Sequence, residues 1–518
     1  MTTTADTHIT TPTPANTEPG TAPGNGPTRV KTAIIGSGFA GLAMGIRLKR
    51  RGDEDFLIIE RACDLGGTWR DNTYPGVACD VPSHLYSFSF RPNPDWTSLF
   101  SPGAEIQEYL RECAREEGLT PHFRFDAALR DATWNERTQR WELSTDGGEV
   151  EARYLIMATG HLADEHLPEV PGLEGFTGRA CHSARWDPSI RLEGLRVGIV
   201  GTGASAIQLV PEAQQAAREL VVFQRTPAWV IPRPVKEYTD GERRMFRRDP
   251  STIRRVREEL FWNQENTYPA RRGIDPYLSG IKAMAAAHLA AQVQDEALRE
   301  KLTPHYEPGC KRLLLSNTYY PAMAAENTTV EASALASVQG STAVAASGAR
   351  YDLDVLIFAT GFEAAQPPFA RLVHGLGGVN LAEHWSRGMR AMDSTAVAGY
   401  PNLFSINGPN TSLGHNSIVY IIESQVEYIL GAMDYAGQHD DAVLTPIPEQ
   451  EEEYVAQIDR KARGSVWTDG GCDSWYLDPR TGRLTLIWPD FGYAFREANG
   501  TFHPERFELL PDRTTAAA

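Results

Sequence analysis

Two stretches of the chain repeat one pattern of apolar and polar positions. In the first, the apolar runs 31–35 and 56–59 lie on either side of a helical repeat that reaches Arg51. In the second, the runs 196–200 and 220–223 lie on either side of another helical repeat. Short apolar runs that alternate with helical periodicity are typical of parallel strands joined by crossover helices. The pattern therefore predicts an α/β protein built on two strand–helix–strand units.

The turn inside the first unit has the glycine spacing of a dinucleotide-binding fold. Gly36, Gly38 and Gly41 follow the strand as G-x-G-x-x-G, and the second strand of the unit ends at Glu60. Glycines at these positions permit the tight turn, the close approach of the backbone to a pyrophosphate, and the packing of helix on strand. The acid accepts hydrogen bonds from ribose hydroxyls. The first unit is therefore predicted to be a Rossmann-like domain.

The second unit differs at the end of its second strand, where Arg225 and Thr226 take the place of an acid. An acid would repel a 2′-phosphate, whereas arginine and threonine can bind one; Arg225 alone also fits a solvated strand end. One acid-ended and one arginine-ended unit together predict FAD and NADPH in the same chain. The residues expected at the two cofactors are Gly36, Gly38, Phe39, Gly41, Glu60, Gly67, Thr68, Trp69, Gly201, Gly203, Ala204, Ser205, Ala206, Arg225 and Thr226.

Two Ala-Thr-Gly strand ends, at 158–160 and 359–361, indicate crossings between the two domains. They predict a domain order in which the chain leaves the FAD-binding domain and later returns to it. The predicted segments are a disordered tail at 1–28, the first part of the FAD-binding domain at 29–160, the NADP-binding domain at 161–350 with a helical insertion at about 235–303, and the second part of the FAD-binding domain with the C-terminal region at 351–518.

The composition mainly excludes some classes of partner and some kinds of site. The 518 residues are 41% hydrophobic and 23% charged, with a net charge of -17, which argues against nucleic acid or an anionic membrane as a partner. No apolar run is long enough to span a bilayer. The six cysteines form no Cys-x-x-Cys pair, so we expect reduced thiols in a cytoplasmic protein and no metal site. The sequence leaves the oligomeric state open.

Two charged positions outside the glycine turns are candidates for chemistry. Lys311 and Arg312 form a basic pair before an apolar run, and a guanidinium is well suited to stabilising an anionic oxygen. Asp80 lies in a loop among apolar and aromatic residues, where it can orient a cation. Taken alone, Asp80 fits an Asx turn or a helix cap more readily.

A third motif lies between the two glycine turns, at 176–187. It reads Phe-x-Gly-x-x-x-His-x-x-x-Trp-Asp, and together with the two turns it resembles the arrangement of type I Baeyer–Villiger monooxygenases. In the related flavin-containing monooxygenases the last aromatic residue of this motif is usually not tryptophan, so the Trp-Asp ending favours the Baeyer–Villiger branch. The motif residues are Phe176, Gly178, His182, Trp186 and Asp187.

This resemblance implies an enzyme that uses FAD and NADPH to insert one oxygen atom of dioxygen next to a ketone carbonyl, through a flavin peroxide, to give an ester or lactone. Arg312 resembles the family's catalytic arginine, and Asp80 the aspartate that positions it at the flavin. Lys311, with Arg225 and Thr226, falls where the family binds the 2′-phosphate. Trp475 resembles the tryptophan of a mobile loop that closes over the nicotinamide cofactor.

The resemblance gives His182 a role in the interdomain linker rather than in proton transfer at the ketone; a hydrogen-bonded structural histidine is an equal alternative. Two other functions stay open at this point. One is a flavin-containing monooxygenase that oxidises sulfur or nitrogen, which would not need the pair of Asp80 and Arg312. The other is a flavin-binding protein without oxygenase turnover, which would have no use for an NADPH site.

Overall fold

The computed structural model describes residues 26–510. Most of the tail predicted at 1–28 lies outside this range, and Thr28 already begins the first strand. Within the described range, no helix is both long and apolar enough to cross a lipid bilayer.

The first sheet is built on three parallel strands whose carboxyl ends meet at one edge. The first strand of the chain lies between its two parallel neighbours, and Ile35 pairs with Ile59 on one side and with Met157 on the other. The first glycine turn and Glu60 therefore leave the sheet side by side. The elements of this part are β1 (Thr28–Ile35), α1 (Phe39–Arg50), β2 (Phe56–Ile59), α2 (Thr68–Asp71), α3 (Gly103–Glu116), β3 (Phe123–Arg124), β4 (Leu129–Asn135), β5 (Arg140–Thr145) and β6 (Val150–Met157).

The second sheet has five parallel strands. The domain that contains this sheet also carries a helical insertion. The elements of this part are β7 (Arg179–His182), β8 (Arg196–Val200), α4 (Ala204–Ala216), β9 (Glu219–Phe223), β10 (Val230–Ile231), α5 (Asp240–Arg248), α6 (Pro250–Glu265), α7 (Tyr268–Arg271), α8 (Tyr277–Gln292), α9 (Glu296–Lys301), β11 (Leu314–Leu315), α10 (Tyr319–Met323), β12 (Thr328–Glu331), β13 (Leu335–Gln339), β14 (Thr342–Ala345), β15 (Arg350–Asp352) and β16 (Val355–Phe358). The parallel order is β12-β9-β8-β16-β7. The predicted α/β class with two parallel-sheet units is confirmed.

The last part of the chain returns to the first sheet, where β17 pairs with β4 and β18 pairs with β6. Its elements are β17 (Val373–His374), α11 (Leu381–His384), β18 (Leu403–Ser405), α12 (Ile418–Gly437), β19 (Val443–Pro446), α13 (Pro448–Ala462), α14 (Val466–Asp469), α15 (Gly492–Asn499) and β20 (Phe507–Leu510). The predicted return at 351 falls too early, because β16 lies inside the second sheet, between β8 and β7. A fully buried apolar strand has the same sequence pattern in either sheet.

The helices α5 to α9 occupy the stretch where the sequence predicts a helical insertion. They pack against both halves of the molecule. Phe246 and Ile253 belong to the apolar core around α1 and α12, whereas Leu289 and Leu302 belong to the core around β8 and α4. The insertion therefore joins the two domains and does not extend from one of them alone.

Candidate functional site

Each glycine turn abuts one of the two Ala-Thr-Gly strand ends. Gly36 has φ +104°, and a Cβ atom there would lie 2.6 Å from the carbonyl oxygen of Ala158. Gly201 has φ +116°, and its Cβ would lie 2.4 Å from the carbonyl oxygen of Ala359. Only glycine satisfies both the backbone angle and the close approach. Both predicted domain crossings therefore lie directly beside a glycine turn.

The amino termini of α1 and α4 fit the pyrophosphates of two dinucleotides. Gly38 and Gly203 are their N-cap residues, and neither helix receives a capping hydrogen bond from a side chain. A Cβ atom at Gly203 would meet no atom within 4 Å. Uncapped N–H groups beside open space, at the positive end of a helix dipole, suit a phosphate. Ala204, Ser205 and Ala206 form the first turn of α4, as Phe39 and Gly41 do in α1.

Glu60 is fixed beside the first turn by several donors. Its carboxylate accepts hydrogen bonds from the backbone N–H of Ser37 at 3.0 Å and from the Ser37 hydroxyl at 2.6 Å, and it pairs with Arg70 at 3.0 Å. The turn that contains Gly67 packs against the same loop, where a Cβ on Gly67 would lie 3.4 Å from the Cα of Gly38. Thr68 and Trp69 follow in α2, at the predicted second approach to the cofactor.

Arg312 and Asp80 form a bidentate ion pair across 232 positions of sequence. The Arg312 Nε donates to Asp80 Oδ2 at 2.5 Å and the Nη2 donates to Oδ1 at 2.7 Å. The side chains are 32% and 28% exposed, so the pair is reachable but largely shielded. Two parallel hydrogen bonds hold the plane of the guanidinium in a single orientation. The ion pair therefore links a loop of the first domain to a segment of the second and holds the cation in one orientation.

The loop that carries Asp80 is bound to the second domain. Gln208 of α4 donates to the carbonyl oxygen of Ala78 at 2.9 Å and accepts from the Tyr74 hydroxyl at 2.9 Å. A Cβ atom on Gly76 would lie 2.7 Å from the Gln208 carbonyl oxygen, so the loop lies flat on the helix. The position of Asp80 therefore depends on how the two domains are docked.

The ionisation of the pair is insensitive to pH near neutrality. Burial alone would raise the pKa of Asp80, but the charge and hydrogen bonds of Arg312 outweigh burial and hold that pKa below its ordinary value. The charge of Asp80 in turn raises the pKa of Arg312 above its ordinary value. The lowered pKa of Asp80 stabilises the folded protein at pH values above the ordinary pKa of aspartate. This contribution is lost as the pH falls through the lowered pKa.

A pH series of melting temperatures tests this electrostatic arrangement. We expect the difference in Tm between the wild type and Asp80→Asn to be constant from about pH 5 to about pH 9 and to shrink only below about pH 4. Both partners stay charged between those limits, so neither gains or loses a proton there. A difference that changes around neutral pH would show that one member of the pair is uncharged there.

Lys311 and Arg225 are two cations that interact electrostatically near the end of β9. Lys311 is half-buried with its ammonium 5.5 Å from the centre of the Tyr306 ring. Burial and then the charge of Arg225 lower the pKa of Lys311, while Asp473 opposes them. The Thr202 hydroxyl donates to the carbonyl oxygen of Thr226 at 2.8 Å and ties this strand end to the second glycine turn. Like charges held close together beside a dinucleotide loop favour an anion between them.

We expect Arg225→Ala to raise the KM for NADPH by about 10- to 100-fold and to leave the KM for NADH within about threefold. The expected rise corresponds to the loss of one or two charge-assisted hydrogen bonds to the 2′-phosphate. Steady-state rates with each cofactor measure this. Arg218→Ala is the control, because Arg218 precedes the other end of the same strand and pairs with Glu219 on the surface. Equal losses with both cofactors would refute the assignment of Arg225 to the 2′-phosphate.

The expectation that all six cysteines are reduced thiols is wrong for two of them. Cys310 and Cys472 form a disulfide, with their Cα atoms 6.3 Å apart. The Ser474 hydroxyl also donates to the Cys310 carbonyl oxygen at 2.9 Å. The cysteines are separated by 162 positions in the sequence, so local spacing gives no sign of the pairing. The loop with Cys472 is therefore fastened to the segment that carries Lys311 and Arg312.

Trp475 lies on that fastened loop and is 40% exposed. Its neighbour Tyr476 is buried, with the two ring centres 4.4 Å apart, and it interacts with Arg312. Burial raises the pKa of Tyr476, and Arg312 opposes this rise. The structure thus brings the tyrosine of this aromatic pair to the guanidinium and leaves the tryptophan at the surface, where a cofactor can contact it.

The motif at 176–187 forms the edge of the second sheet. Its strand β7 pairs with β16, and His182 lies opposite Phe358. His182 is 4% exposed, and its Nδ1 accepts a hydrogen bond from the Ala184 backbone at 3.1 Å. A Cβ on Gly178 would lie 2.5 Å from the Asp354 carbonyl oxygen. The motif therefore positions the strand that leads into the second Ala-Thr-Gly crossing.

The remaining motif residues fix the ends of this edge strand. Phe176 and Trp186 are half-buried and pack on two different apolar clusters. Asp187 accepts a hydrogen bond from the Ser189 backbone at 2.9 Å and pairs with Arg179 at 2.5 Å.

Sequence reasoning missed a second arginine close to Asp80. Arg233 lies 5.0 Å from the centre of the Phe100 ring, and its backbone exchanges hydrogen bonds with Asn317. Burial lowers the pKa of Arg233, and the charge of Asp80 opposes this. No motif marks this arginine. Its only signal in the sequence is its position a few residues after Arg225, on the segment that leaves the second strand.

The chain is similar to several known flavin-dependent monooxygenases. The model of the flavin-binding monooxygenase-like family matches residues 29–262. A Baeyer–Villiger monooxygenase from Streptomyces coelicolor is 45% identical over 486 residues, covering 93% of each chain. One from Pseudomonas aeruginosa is 41% identical over 480 residues, covering 92% of this chain and 91% of that protein. Cyclohexanone monooxygenase from Rhodococcus sp. Phi1, in its crystal structure bound to NADP+, matches with a TM-score of 0.83 at 27% identity, covering 94% of this chain and 100% of that one.

Proposed function

Because the chain belongs to the Baeyer–Villiger monooxygenase family, we propose that it inserts one oxygen atom of dioxygen beside the carbonyl group of a ketone. The reaction consumes a ketone, dioxygen, NADPH and a proton, and it yields an ester or lactone, NADP+ and water. The observation that carries this proposal is the bidentate pair of Arg312 and Asp80, which links the two domains.

The chain's own residues supply binding and electrostatics. FAD, when bound and reduced by NADPH, supplies the activated oxygen. The uncapped amino terminus of α1 and the fixed carboxylate of Glu60 would hold FAD, and the amino terminus of α4 with Arg225, Thr226 and Lys311 would hold NADPH.

Arg312 would stabilise the negative charge that develops on the carbonyl oxygen when the ketone is attacked. Asp80 fixes the orientation of the guanidinium before the reaction, so no reorganisation is required while the charge develops. The raised pKa of Arg312 keeps it protonated throughout. An oxidation of sulfur or nitrogen creates no oxyanion on carbon, so the pair favours a ketone as substrate.

A substrate panel tests this function. The holoenzyme is incubated with NADPH and matched ketones and thioethers, and the products are identified by mass spectrometry. We expect ketones to gain one oxygen atom as esters or lactones, in proportion to NADPH consumed. Sulfoxides as the sole oxygenated products would assign the protein to heteroatom oxidation, and failure of NADPH to reduce the flavin would exclude both oxygenase functions.

A further inference from the structure

Arg271, at the end of α7, is a buried arginine. It is 6% exposed, and its Nη1 and Nη2 donate to the carbonyl oxygens of Thr267 at 3.2 Å and Gly414 at 3.1 Å. Its Nε has no hydrogen-bond partner, and within residues 26–510 no acid forms an ion pair with it. Burying an unpaired cation destabilises the folded protein, so the presence of Arg271 here calls for a reason beyond packing.

The unpartnered side of Arg271 faces the segment that carries the catalytic arginine. Gly309 has φ +92°, and a Cβ atom there would lie 3.7 Å from both Cδ and Nε of Arg271. Gly309 is followed by Cys310, which the disulfide fixes, and then by Lys311 and Arg312. The backbone that leads into Arg312 therefore rests on the side chain of Arg271.

Arg271 belongs to a buried polar contact between the helical insertion and the last part of the chain. Glu265 accepts a hydrogen bond from the Asn416 amide at 2.6 Å and pairs with His415 at 3.1 Å. The Tyr268 hydroxyl donates to the Pro489 carbonyl oxygen at 2.7 Å. Arg271 extends this contact toward the ion pair of Arg312 and Asp80. Burial lowers the pKa of Arg271, Tyr476 opposes this, and the charge of Arg312 adds to the lowering.

Arg271 adds a positive charge that acts on Arg312. Asp80 forms an ion pair with Arg312, whereas no acid among residues 26–510 forms one with Arg271. We propose that Arg271 is a positioning residue for the oxygenation, which fixes the backbone ahead of Arg312 and adds a second positive charge close to the ion pair. This inference rests on the proposed function. A second positive charge close to Arg312 adds to the stabilisation that Arg312 gives to negative charge on the substrate oxygen.

The test compares Arg271→Met, which removes the charge, with Arg271→Lys, which keeps it. We expect Arg271→Met to lower kcat for ester formation by about 10-fold, while anaerobic flavin reduction by NADPH and the KM for NADPH stay within about twofold. Arg271→Lys should recover kcat to within about threefold of the wild type. Hydrogen–deuterium exchange of peptides that contain 309–312 should be faster in Arg271→Met than in the wild type.

Arg272→Met is the matched control, because Arg272 also donates to two carbonyl oxygens, those of Lys461 and Arg463, but at the surface. It should leave kcat and exchange at 309–312 unchanged. Should Arg271→Met not fold, Arg271→Gln replaces it with the same expectations. Equal losses in the Lys and Met variants, a parallel loss of flavin reduction, or wild-type kcat in Arg271→Met would overturn the inference. A wild type that forms no ester would instead overturn the proposed function.

Discussion

Arg312→Ala should lose ester formation and keep its NADPH chemistry. Removing one preorganised donor at a developing oxyanion costs roughly 3–4 kcal/mol, so we expect ester formation to fall by about 100-fold or more. Anaerobic flavin reduction by NADPH should stay within about threefold of the wild type, because hydride transfer creates no oxyanion on the ketone. Stopped-flow absorbance measures the reduction, and mass spectrometry of the organic extract measures the ester.

Arg130→Ala is the matched control for this variant. Arg130 makes the same bidentate contact with Asp146, at 2.7 Å for both hydrogen bonds, but on the surface of the first sheet. Its loss should leave both rates unchanged. Wild-type ester formation in Arg312→Ala would show that the oxyanion is stabilised elsewhere, and an equal loss of flavin reduction would mean that the substitution damages the fold or the cofactor sites.

Asp80→Asn should weaken both the enzyme and the fold. The substitution leaves the Arg312 cation without its counterion in a site that is about one-third exposed. Since water can replace part of the lost interaction, we expect a loss of about 1–3 kcal/mol of stability, below the 3–5 kcal/mol of a fully buried pair. Ester formation should fall by about 10- to 100-fold because the guanidinium loses its fixed orientation. Chemical denaturation and product assays measure the two effects.

The double variant Asp80→Ala/Arg312→Ala separates orientation from an independent role of Asp80. If Asp80 acts only by holding Arg312, the double variant should be no slower than Arg312→Ala alone. A further loss of about 10-fold or more in the double variant would mean that Asp80 has a function of its own, for example at the flavin. Asp146→Asn, at the matched surface pair, serves as the stability control.

Local periodicity accounts for most of what the sequence predicts of the fold. The strands and glycine turns of both units, and the helical insertion, follow from patterns confined to a few tens of residues. The boundary at 351 was misplaced because β16 is apolar on both faces, and such a strand carries no mark of the sheet it joins. Registers between distant strands, such as β18 with β6, have no local signal either.

In the candidate site, too, local patterns predict some features and not others. Glycine spacing alone locates the two dinucleotide loops, whereas the pairing of Asp80 with Arg312 was predicted only through the resemblance to a family. The disulfide of Cys310 and Cys472 was not predicted, since it depends on two loops that meet only in the folded chain. Arg271 also had no signal, because an arginine in a charged helical segment is ordinarily a solvated residue.

The origin of the inserted oxygen atom shows most directly whether the protein oxygenates ketones. The wild-type holoenzyme is reduced with NADPH under anaerobic conditions and then mixed with 18O2 and a ketone. We expect an ester or lactone that carries one 18O atom next to the original carbonyl. Recovery of unchanged ketone after complete reoxidation of the flavin, or label found only in sulfoxides when a thioether is added, would contradict it.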